Sequence, residues 1–366
     1  MKLLFDYQIL ILQKYGGISR YFKELIERLE YNYDVDCSIN CYHSINHYFH
    51  DRIKENKKLV GRKWGFYNRI NKLSTLHAIQ ENVDIVHPTY YDPYFLEKAK
   101  KNHVKTVVTV YDMIHEIYRG KYPNHLDDTD IIRKKLLIKE CDHVISISES
   151  TKRDILKFYP EIPEDKISVI PLATSNVNID FTFTKSDFLP DRYVLFVGER
   201  KDYKNFDNFY KALEPILSKD KELYLLCVGG GAFSEKEEMM ISNFRDRVIQ
   251  KNMNDKDLMN AYHHALCFVF PSLYEGFGIP MLEAFSSGVP VAASNSSSLP
   301  EVGGEAAIYF DANDIADIQS KLEDVIYNED IVNKLKKNAA ERIKHFSWEK
   351  TAEETYECYK KLKGKL

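Results

Sequence analysis

Two carboxylates, Glu275 and Glu283, lie eight residues apart in the segment FPSLYEGFGIPMLEA, which covers residues 270–284. An apolar strand-like run precedes them, Gly276 and Gly278 follow, and a proline suits the first position of a helix. Backbone amides at the N-terminus of such a helix form an anion site, and a carboxylate near a strand end suits the hydroxyls of a ribose. The alternative is a pair of solvated charges at a helix start, but the combined pattern favours a binding site.

Two cations follow another strand-like run in the segment LFVGERKDYKNF, residues 195–206. Arg200 and Lys204 come directly after Gly198. Arginine binds phosphate oxygens through two N–H groups and lysine supplies a point charge, so the pair suits a diphosphate. A solvated loop is the alternative, because neighbouring residues are charged as well.

A glycine pair, Gly16-Gly17, leads into a helical pattern in YGGISRYF, residues 15–22. Glycines there allow the backbone to approach a phosphate or a sugar closely. The alternative is an ordinary loop or helix cap, and a glycine pair by itself is weak evidence.

The elements that must position these residues alternate between short apolar strands and helices along the whole chain. This alternation predicts an α/β protein with parallel sheets covered by helices on both faces. A stretch rich in Asn, Thr and Ser at residues 174–185 reads as a junction. We therefore predict an N-terminal domain over residues 1–175 and a C-terminal domain over 190–347. Ligands bind such sheets at the carboxyl ends of strands, where all three motifs lie.

Composition excludes several classes of protein. The 366 residues are 44% hydrophobic and 29% charged, which is typical of a soluble globular chain of two domains. No apolar run reaches the roughly 20 residues of a membrane span, and no signal peptide is evident. The net charge of −4 argues against general nucleic-acid binding. Six cysteines without a CxxC pair indicate a reducing, cytoplasmic setting, and we expect neither a metal site nor a cofactor.

Taken together, the motifs resemble those of the retaining glycosyltransferases of family 4, which have the GT-B fold. The resemblance covers nearly the whole chain in the right order. Its segments are Tyr15–Phe22 (YGGISRYF), Thr109–Glu116 (TVYDMIHE), Ser146–Asp154 (SISESTKRD), Gly198–Asn205, Glu275 to Glu283, Leu299–Asp311 and Phe346–Ala352.

The resemblance implies two facing Rossmann-like domains with a cleft between them, and a C-terminal helix, 348–366, that returns to the N-terminal domain. The donor is then a nucleotide-diphosphate sugar. Glu283 would bind the ribose, Glu275 the donor sugar, and Arg200 and Lys204 the diphosphate. The backbone of Gly17 and of the Phe277–Gly278 turn would assist. Transfer would retain the anomeric configuration without a bound metal.

One position departs from the family pattern. Many members have histidine before the aspartate of the mid-domain motif, whereas this chain has Tyr111 before Asp112. Asp112 keeps the motif position and is the better catalytic candidate. His115 is either a substitute for the missing histidine or a surface imidazole. His87 and the pair Tyr90-Tyr91 follow a strand and are candidates for contact with the acceptor.

The resemblance suggests mannose from GDP-mannose as the first choice of donor, with UDP-sugars open. The acceptor would be a glycan or a lipid-linked intermediate in surface-polysaccharide or lipopolysaccharide synthesis. The basic, aromatic segment Arg52–Lys72 predicts either a solvated helix pair or peripheral contact with an anionic membrane. Rival functions are another GT-B enzyme, such as a phosphorylase or a nucleotide-sugar epimerase, and a non-catalytic sugar-binding protein.

Overall fold

A computed structural model describes residues 1–53, 64–80, 82–121, 128–174 and 184–364. The chain forms two compact units. The first, termed the N-unit, comprises Met1–Leu172 together with Ser347–Leu366. The second, termed the C-unit, comprises Ala173–Phe346.

The N-unit is built on a parallel sheet of short apolar strands. These strands are β1 (Lys2–Phe5), β2 (Asp36–Ile39), β3 (Ile85–His87), β4 (Lys105–Val110), β5 (His143–Ser146) and β6 (Ile167–Val169). Their order across the sheet is β2-β1-β3-β4-β5-β6. The helices between them are α1 (Gln8–Leu12), α2 (Gly17–Tyr33), α3 (Trp64–Ala78), α4 (Leu96–Lys101), α5 (Ile114–Ile117), α6 (Asp128–Glu140) and α7 (Glu149–Phe158).

The C-unit repeats this plan. Its strands are β7 (Arg192–Val197), β8 (Leu223–Val228), β9 (Val248–Lys251), β10 (Cys267–Phe270), β11 (Val291–Ser294) and β12 (Ala307–Phe310). They are ordered β12-β11-β10-β7-β8-β9 and all pair in parallel. Its helices are α8 (Phe206–Lys219), α9 (Glu235–Met240), α10 (Asp255–His264), α11 (Ile279–Ser286), α12 (Leu299–Gly303), α13 (Ile315–Tyr327) and α14 (Glu329–Arg342).

The last helix, α15 (Trp348–Lys363), belongs to the N-unit, where it packs on α2. Ser347 begins it, because its hydroxyl accepts a hydrogen bond from the Lys350 amide. Tyr359 and other buried residues of this helix cover the core of the unit.

The two parallel sheets confirm the predicted α/β fold. Strands such as β4 (KTVVTV) are rich in β-branched residues and buried along most of their length, as strands covered on both faces should be. The sequence pattern does not mark β2 (DCSI) and β6 (ISV), which lie at the two edges of the N-unit sheet. An edge strand is covered less completely, so it lacks the apolar run that marks a buried strand. No helix within the described ranges combines the length and the apolar character needed to cross a bilayer.

Candidate functional site

Two loops of the C-unit meet at the carboxyl edge of its sheet. β7 and β10 are neighbours, so residues 198–205 and 271–278 leave the sheet side by side. The Leu273 amide donates to the Tyr203 carbonyl at 2.7 Å, and the Asn205 side chain donates to the Pro271 carbonyl at 3.1 Å. Gly198, at φ 116°, allows the chain to turn away from the strand.

Lys204 and Glu275 face each other across these two loops. The Lys204 Nζ atom lies 2.6 Å from Glu275 Oε1, and the two side chains are 23% and 13% exposed. The Ser297 hydroxyl accepts a hydrogen bond from the Glu275 amide at 2.8 Å, which fixes the loop. An ammonium has three N–H donors, and among the described residues one of them is paired with Glu275, so the other two suit a further anion. The structure thus brings together two residues that lie 71 positions apart in the sequence.

The N-terminus of α11 lies in the same loop. Gly278 precedes the helix with φ 122°, a conformation that favours glycine, and a proline stands in its first turn. A side chain at Gly278 would come within 3.0 Å of Leu299 Cδ2. Ser298 donates to the Phe277 carbonyl at 2.7 Å, which holds the turn in place. In the first turn of α11, Pro280 has no N–H and the Met281 amide donates to the Gly278 carbonyl at 2.9 Å. The positive end of the helix dipole therefore lies in this loop, where it favours an anion.

Glu283 lies within α11, one turn beyond the first-turn amides, and is half-buried. Its neighbour across the helix pair is Tyr262 on α10. Burial raises the pKa of Tyr262 well above its usual value, and the Glu283 carboxylate raises it further. The carboxylate therefore sits beside a neutral phenol.

Arg200 is committed to its own unit rather than open to solvent. Its side chain is 2% exposed, and Nε donates to Glu237 Oε1 at 2.7 Å. Nη1 donates to the Gly229 carbonyl at 3.0 Å, and Nη2 donates to the carbonyls of Gly231 and Ala232 at 2.8 and 3.1 Å. Four of the five N–H donors of the guanidinium are used in this way. Contact of Arg200 with a diphosphate stays a prediction. In this structure Arg200 binds the carbonyls of residues 229–232, which follow β8 and are termed the glycine loop.

In the N-unit, the mid-domain motif follows β4. Burial raises the pKa of Tyr111 well above its usual value, and the nearby Tyr21 raises it further. The Asp112 Oδ1 atom accepts a hydrogen bond from the Ile114 amide at 3.1 Å. Neither the Tyr111 hydroxyl nor His115 Nδ1 has a hydrogen-bond partner among the described residues, although both atoms are buried. Native proteins pair most such atoms, so two unpaired ones around Asp112 favour a site that a ligand completes.

The glycine pair lies at the start of α2. Gly17 is the first helical residue and is exposed, and the Gly16 carbonyl accepts from the Arg20 amide at 3.0 Å. A side chain at Gly16 would meet the Gln13 side chain. Among the described residues no side chain caps this helix, and the helix N-terminus suits an anion.

His87 does not line a surface, so its candidate role as an acceptor contact does not fit the structure. It is fully buried, with Nδ1 2.6 Å from the Tyr359 hydroxyl and Nε2 2.9 Å from the Thr109 hydroxyl. Burial lowers the pKa of His87 to about 3. Both ring nitrogens are used to join β3 and β4 to α15. Of the neighbouring tyrosines, Tyr91 is buried as well, while Tyr90 is half-exposed.

Sequence reasoning missed residues that position the loops. Asp6 lies directly after β1 and is fully buried, and this burial raises its pKa. Its carboxylate accepts hydrogen bonds from the Thr89 amide at 2.8 Å and from Gln8 Nε2 at 2.6 Å. Ser298 and Glu237 hold the loops described above. An acidic residue at the end of an apolar strand was a signal for Asp6, but nothing local marked the other two.

Acidic residues also lie at the start of a helix in the N-unit. Asp128 and Asp130 are in the first turn of α6, where the helix dipole favours negative charge. No group of three or more His, Cys, Asp or Glu residues in the part of the chain that the structure describes could hold a metal ion. Within the segment Arg52–Lys72, residues 54–63 lie outside the described residues, Arg52 forms an ion pair with Glu30, and residues 64–72 belong to α3.

Two family models match the chain, one after the other. The model described as "Glycosyltransferase Family 4" matches residues 15–174. The model described as "Glycosyl transferases group 1" matches residues 179–342. The two matches follow the division into N-unit and C-unit closely.

Curated relatives include bacterial mannosyltransferases. O-antigen chain mannosyltransferase B of Escherichia coli is 28% identical, with 94% of this chain and 96% of that protein aligned. O-antigen chain mannosyltransferase RfbU of Salmonella typhimurium is 30% identical over 58% of this chain and 59% of that protein. Serotype-specific mannosyltransferase WbdA of E. coli is 26% identical over 70% of this chain, but the match spans only 34% of its length.

Solved structures share the fold at low identity. Sucrose-phosphate synthase from Thermosynechococcus elongatus has a TM-score of 0.74 at 19% identity, covering 100% of this chain and 99% of its own. HepE from Anabaena, solved with UDP-glucose, has a TM-score of 0.74 at 12% identity, covering 99% of this chain and 100% of its own. At these identities the likeness establishes the architecture.

Proposed function

Because the chain belongs to the glycosyltransferases of family 4 and has the GT-B fold, we propose that it transfers mannose from GDP-mannose to a growing surface glycan. The mannosyltransferases among its relatives support this choice of sugar. The observation that carries the proposal is the meeting of Lys204, Glu275 and the N-terminus of α11 at one sheet edge.

In the proposed reaction, the bond between the sugar C1 and the diphosphate oxygen breaks, and the acceptor oxygen bonds to C1 on the same face. The acceptor proton passes to the departing phosphate oxygen. Negative charge grows on the diphosphate as the bond breaks, so preorganised cations and amides lower the barrier. Lys204 and the N-terminal end of the α11 dipole supply that stabilisation, and we propose that no metal ion takes part.

The carboxylates have separate tasks in this proposal. Glu283, half-buried in α11, accepts hydrogen bonds from the ribose hydroxyls. Glu275 contacts the donor sugar and orients Lys204 through their 2.6 Å ion pair. Asp112 of the N-unit, with His115 beside it, contacts the reacting sugar, and the open amides at Gly16-Gly17 bind the donor. Gly276, in the loop that leads into α11, is a further proposed contact of the donor.

The acceptor is a glycan or a lipid-linked intermediate, and the setting is the cytoplasmic face of a membrane. The O-antigen relatives support a polysaccharide product. Contact of the segment Arg52–Lys72 with anionic lipid stays a prediction, which vesicle flotation at low salt tests.

A panel of nucleotides and nucleotide sugars tests the proposal by thermal unfolding. A ligand at 100 times its Kd stabilises the folded state by about 2.7 kcal/mol, so the preferred donor gives the largest rise in Tm. We expect GDP-mannose and GDP to shift the Tm most. If UDP-glucose, the ligand of the HepE structure, gives a larger shift in Tm, then UDP-glucose rather than GDP-mannose is the donor.

The control is Glu283→Gln, which keeps the size of the side chain but weakens its hold on ribose. It should reduce the shift for every nucleotide while leaving the Tm of the free protein nearly unchanged. If no nucleoside diphosphate or nucleotide sugar raises the Tm of the wild-type protein, the proposal is wrong.

A further inference from the structure

A lysine ammonium is enclosed in the N-unit beneath the end of β4. Lys134 on α6 is fully buried, and its Nζ atom lies 2.9 Å from Glu116 Oε2 on α5. The Tyr159 hydroxyl donates to the other oxygen of that carboxylate at 2.9 Å. Lys134 also lies over the ring of Tyr91, 5.3 Å from its centroid. We call these four residues the Lys134 cage.

The cage is attached to the strand end that carries the candidate catalytic residue. Lys134 Nζ donates to the backbone carbonyl of Asp112 at 3.1 Å. On the other side, the hydroxyl of Tyr91 accepts from the Tyr111 amide at 3.1 Å. The Asp112 backbone is therefore held by a buried charge, and the residue before it by a buried phenol.

Packing alone does not require a charge at this place. Removing an ammonium and a carboxylate from water costs several kcal/mol per ion, and apolar residues of similar size are often as stable or more so. A pair of apolar side chains on α5 and α6 would fill the same space. What such a pair lacks is a donor for the Asp112 carbonyl, which lies where the chain leaves the sheet and no strand partner is available.

We infer that Lys134 is a positioning residue, which fixes the backbone of Asp112 so that its carboxylate meets the donor sugar. This inference rests on the proposed function for the role of Asp112, but the hold on the strand end itself does not. The cage joins α5, α6 and the end of α7 at one point. Loosening it frees residues 111–114 without opening the sheet.

The test replaces the cage by apolar residues rather than breaking it. Lys134→Met alone leaves the Glu116 carboxylate buried without its partner, and that variant risks misfolding. The triple variant Lys134→Met, Glu116→Leu, Tyr159→Phe removes both charges and the hydroxyl that serves them. Lys139→Met is the matched control, because Lys139 lies on the same helix and its side chain is exposed.

Two measurements are made on the triple variant and the control. The first is amide hydrogen exchange, followed by mass spectrometry of peptides that span residues 107–118. We expect exchange there to accelerate at least tenfold in the triple variant, with the Tm within a few degrees of wild type and with other peptides unchanged. The second is turnover of the donor that the thermal panel identifies, where we expect kcat to fall at least tenfold and KM to change less than threefold.

The outcomes separate this inference from the proposed function. Unchanged exchange in residues 107–118 overturns the inference whether or not the protein turns over a donor. Faster exchange with wild-type kcat also overturns it, because Asp112 would then need no positioning. If the wild-type protein binds no sugar nucleotide, the proposed function fails, and local exchange still decides whether Lys134 holds the strand end.

Discussion

Replacement of Lys204 by methionine separates a role in the reaction from a role in folding. The Lys204–Glu275 pair is neither exposed nor fully enclosed, with side chains 23% and 13% accessible. Exposed pairs contribute about 0–1 kcal/mol to stability, and loss of one partner of a fully buried pair costs about 3–5 kcal/mol. We therefore expect Lys204→Met to lower the free energy of unfolding by about 1–2 kcal/mol. For a unit of this size that corresponds to a Tm lower by roughly 2–8 °C.

The expected effect on the reaction is larger. Removal of one preorganised donor that stabilises developing charge typically lowers kcat by about 10²–10³, which is about 3–4 kcal/mol in the barrier. The assay is release of nucleoside diphosphate from the donor identified by the thermal panel, with kcat and KM measured separately at a temperature well below both Tm values.

The control is Lys201→Met, which removes the same charge from an exposed position in the same loop. It should keep kcat within about threefold of wild type, because a fully solvated charge outside the site contributes little. The double variant Lys204→Met, Glu275→Gln should regain stability, since no carboxylate is then left without its partner, but it should not regain turnover. Lys204→Met with kcat above a third of wild type would refute the assignment, as would equal losses in Lys204→Met and Lys201→Met.

Two further predictions concern stability. Arg200→Met removes the arginine partner of Glu237 and the donor of the glycine-loop carbonyls, so we expect a loss of about 3 kcal/mol in the free energy of unfolding, measured in urea. Adding Glu237→Leu should restore less than half, because the carbonyls stay unpaired and α9 loses the capping contacts of Glu237 with Ser234; full recovery would show that the loop does not depend on Arg200. His87 has a folded pKa of about 3 against 6.5 when unfolded, so the unfolded chain binds the extra proton and wild-type stability falls as the pH drops below 6.5. Relative to His87→Gln, urea unfolding at pH 7, 6, 5 and 4 should show a loss of up to about 1.4 kcal/mol per pH unit, and parallel curves for the two proteins would contradict a neutral, buried imidazole.

Parallel strands made much of the donor-side cluster predictable. The carboxyl ends of such strands share one edge of the sheet. Two motifs that each follow a strand are therefore neighbours whenever the two strands are adjacent in the sheet. Lys204 and Glu275 illustrate this, since each follows a recognisable strand and the two meet at 2.6 Å. The turn into α11 was equally readable, because glycine and proline act through local backbone geometry.

The direction of a side chain was not predictable in the same way. Arg200 has the residue type and the position of a phosphate ligand, yet its guanidinium turns to Glu237, 37 residues away, and to the glycine loop. His87 is the last residue of β3, at the sheet edge where a cleft residue would lie, yet it is buried and bonded to Tyr359, 272 residues away. In both cases the decisive partner lies on a distant element, so no local pattern carried the information.

The amino-acid order alone was sufficient for the α/β class, the alternation of strands and helices, the family resemblance and the loops that carry the chemistry. Those features follow from periodicity and from residues whose backbone preferences act locally. Only the tertiary structure determined which polar and charged side chains can reach a ligand and which are bonded to other residues of the protein. Arg200, His87 and the buried Lys134 belong to the second group. The free energy of a charge depends on its burial and its partners, and both are properties of packing between segments far apart in the chain.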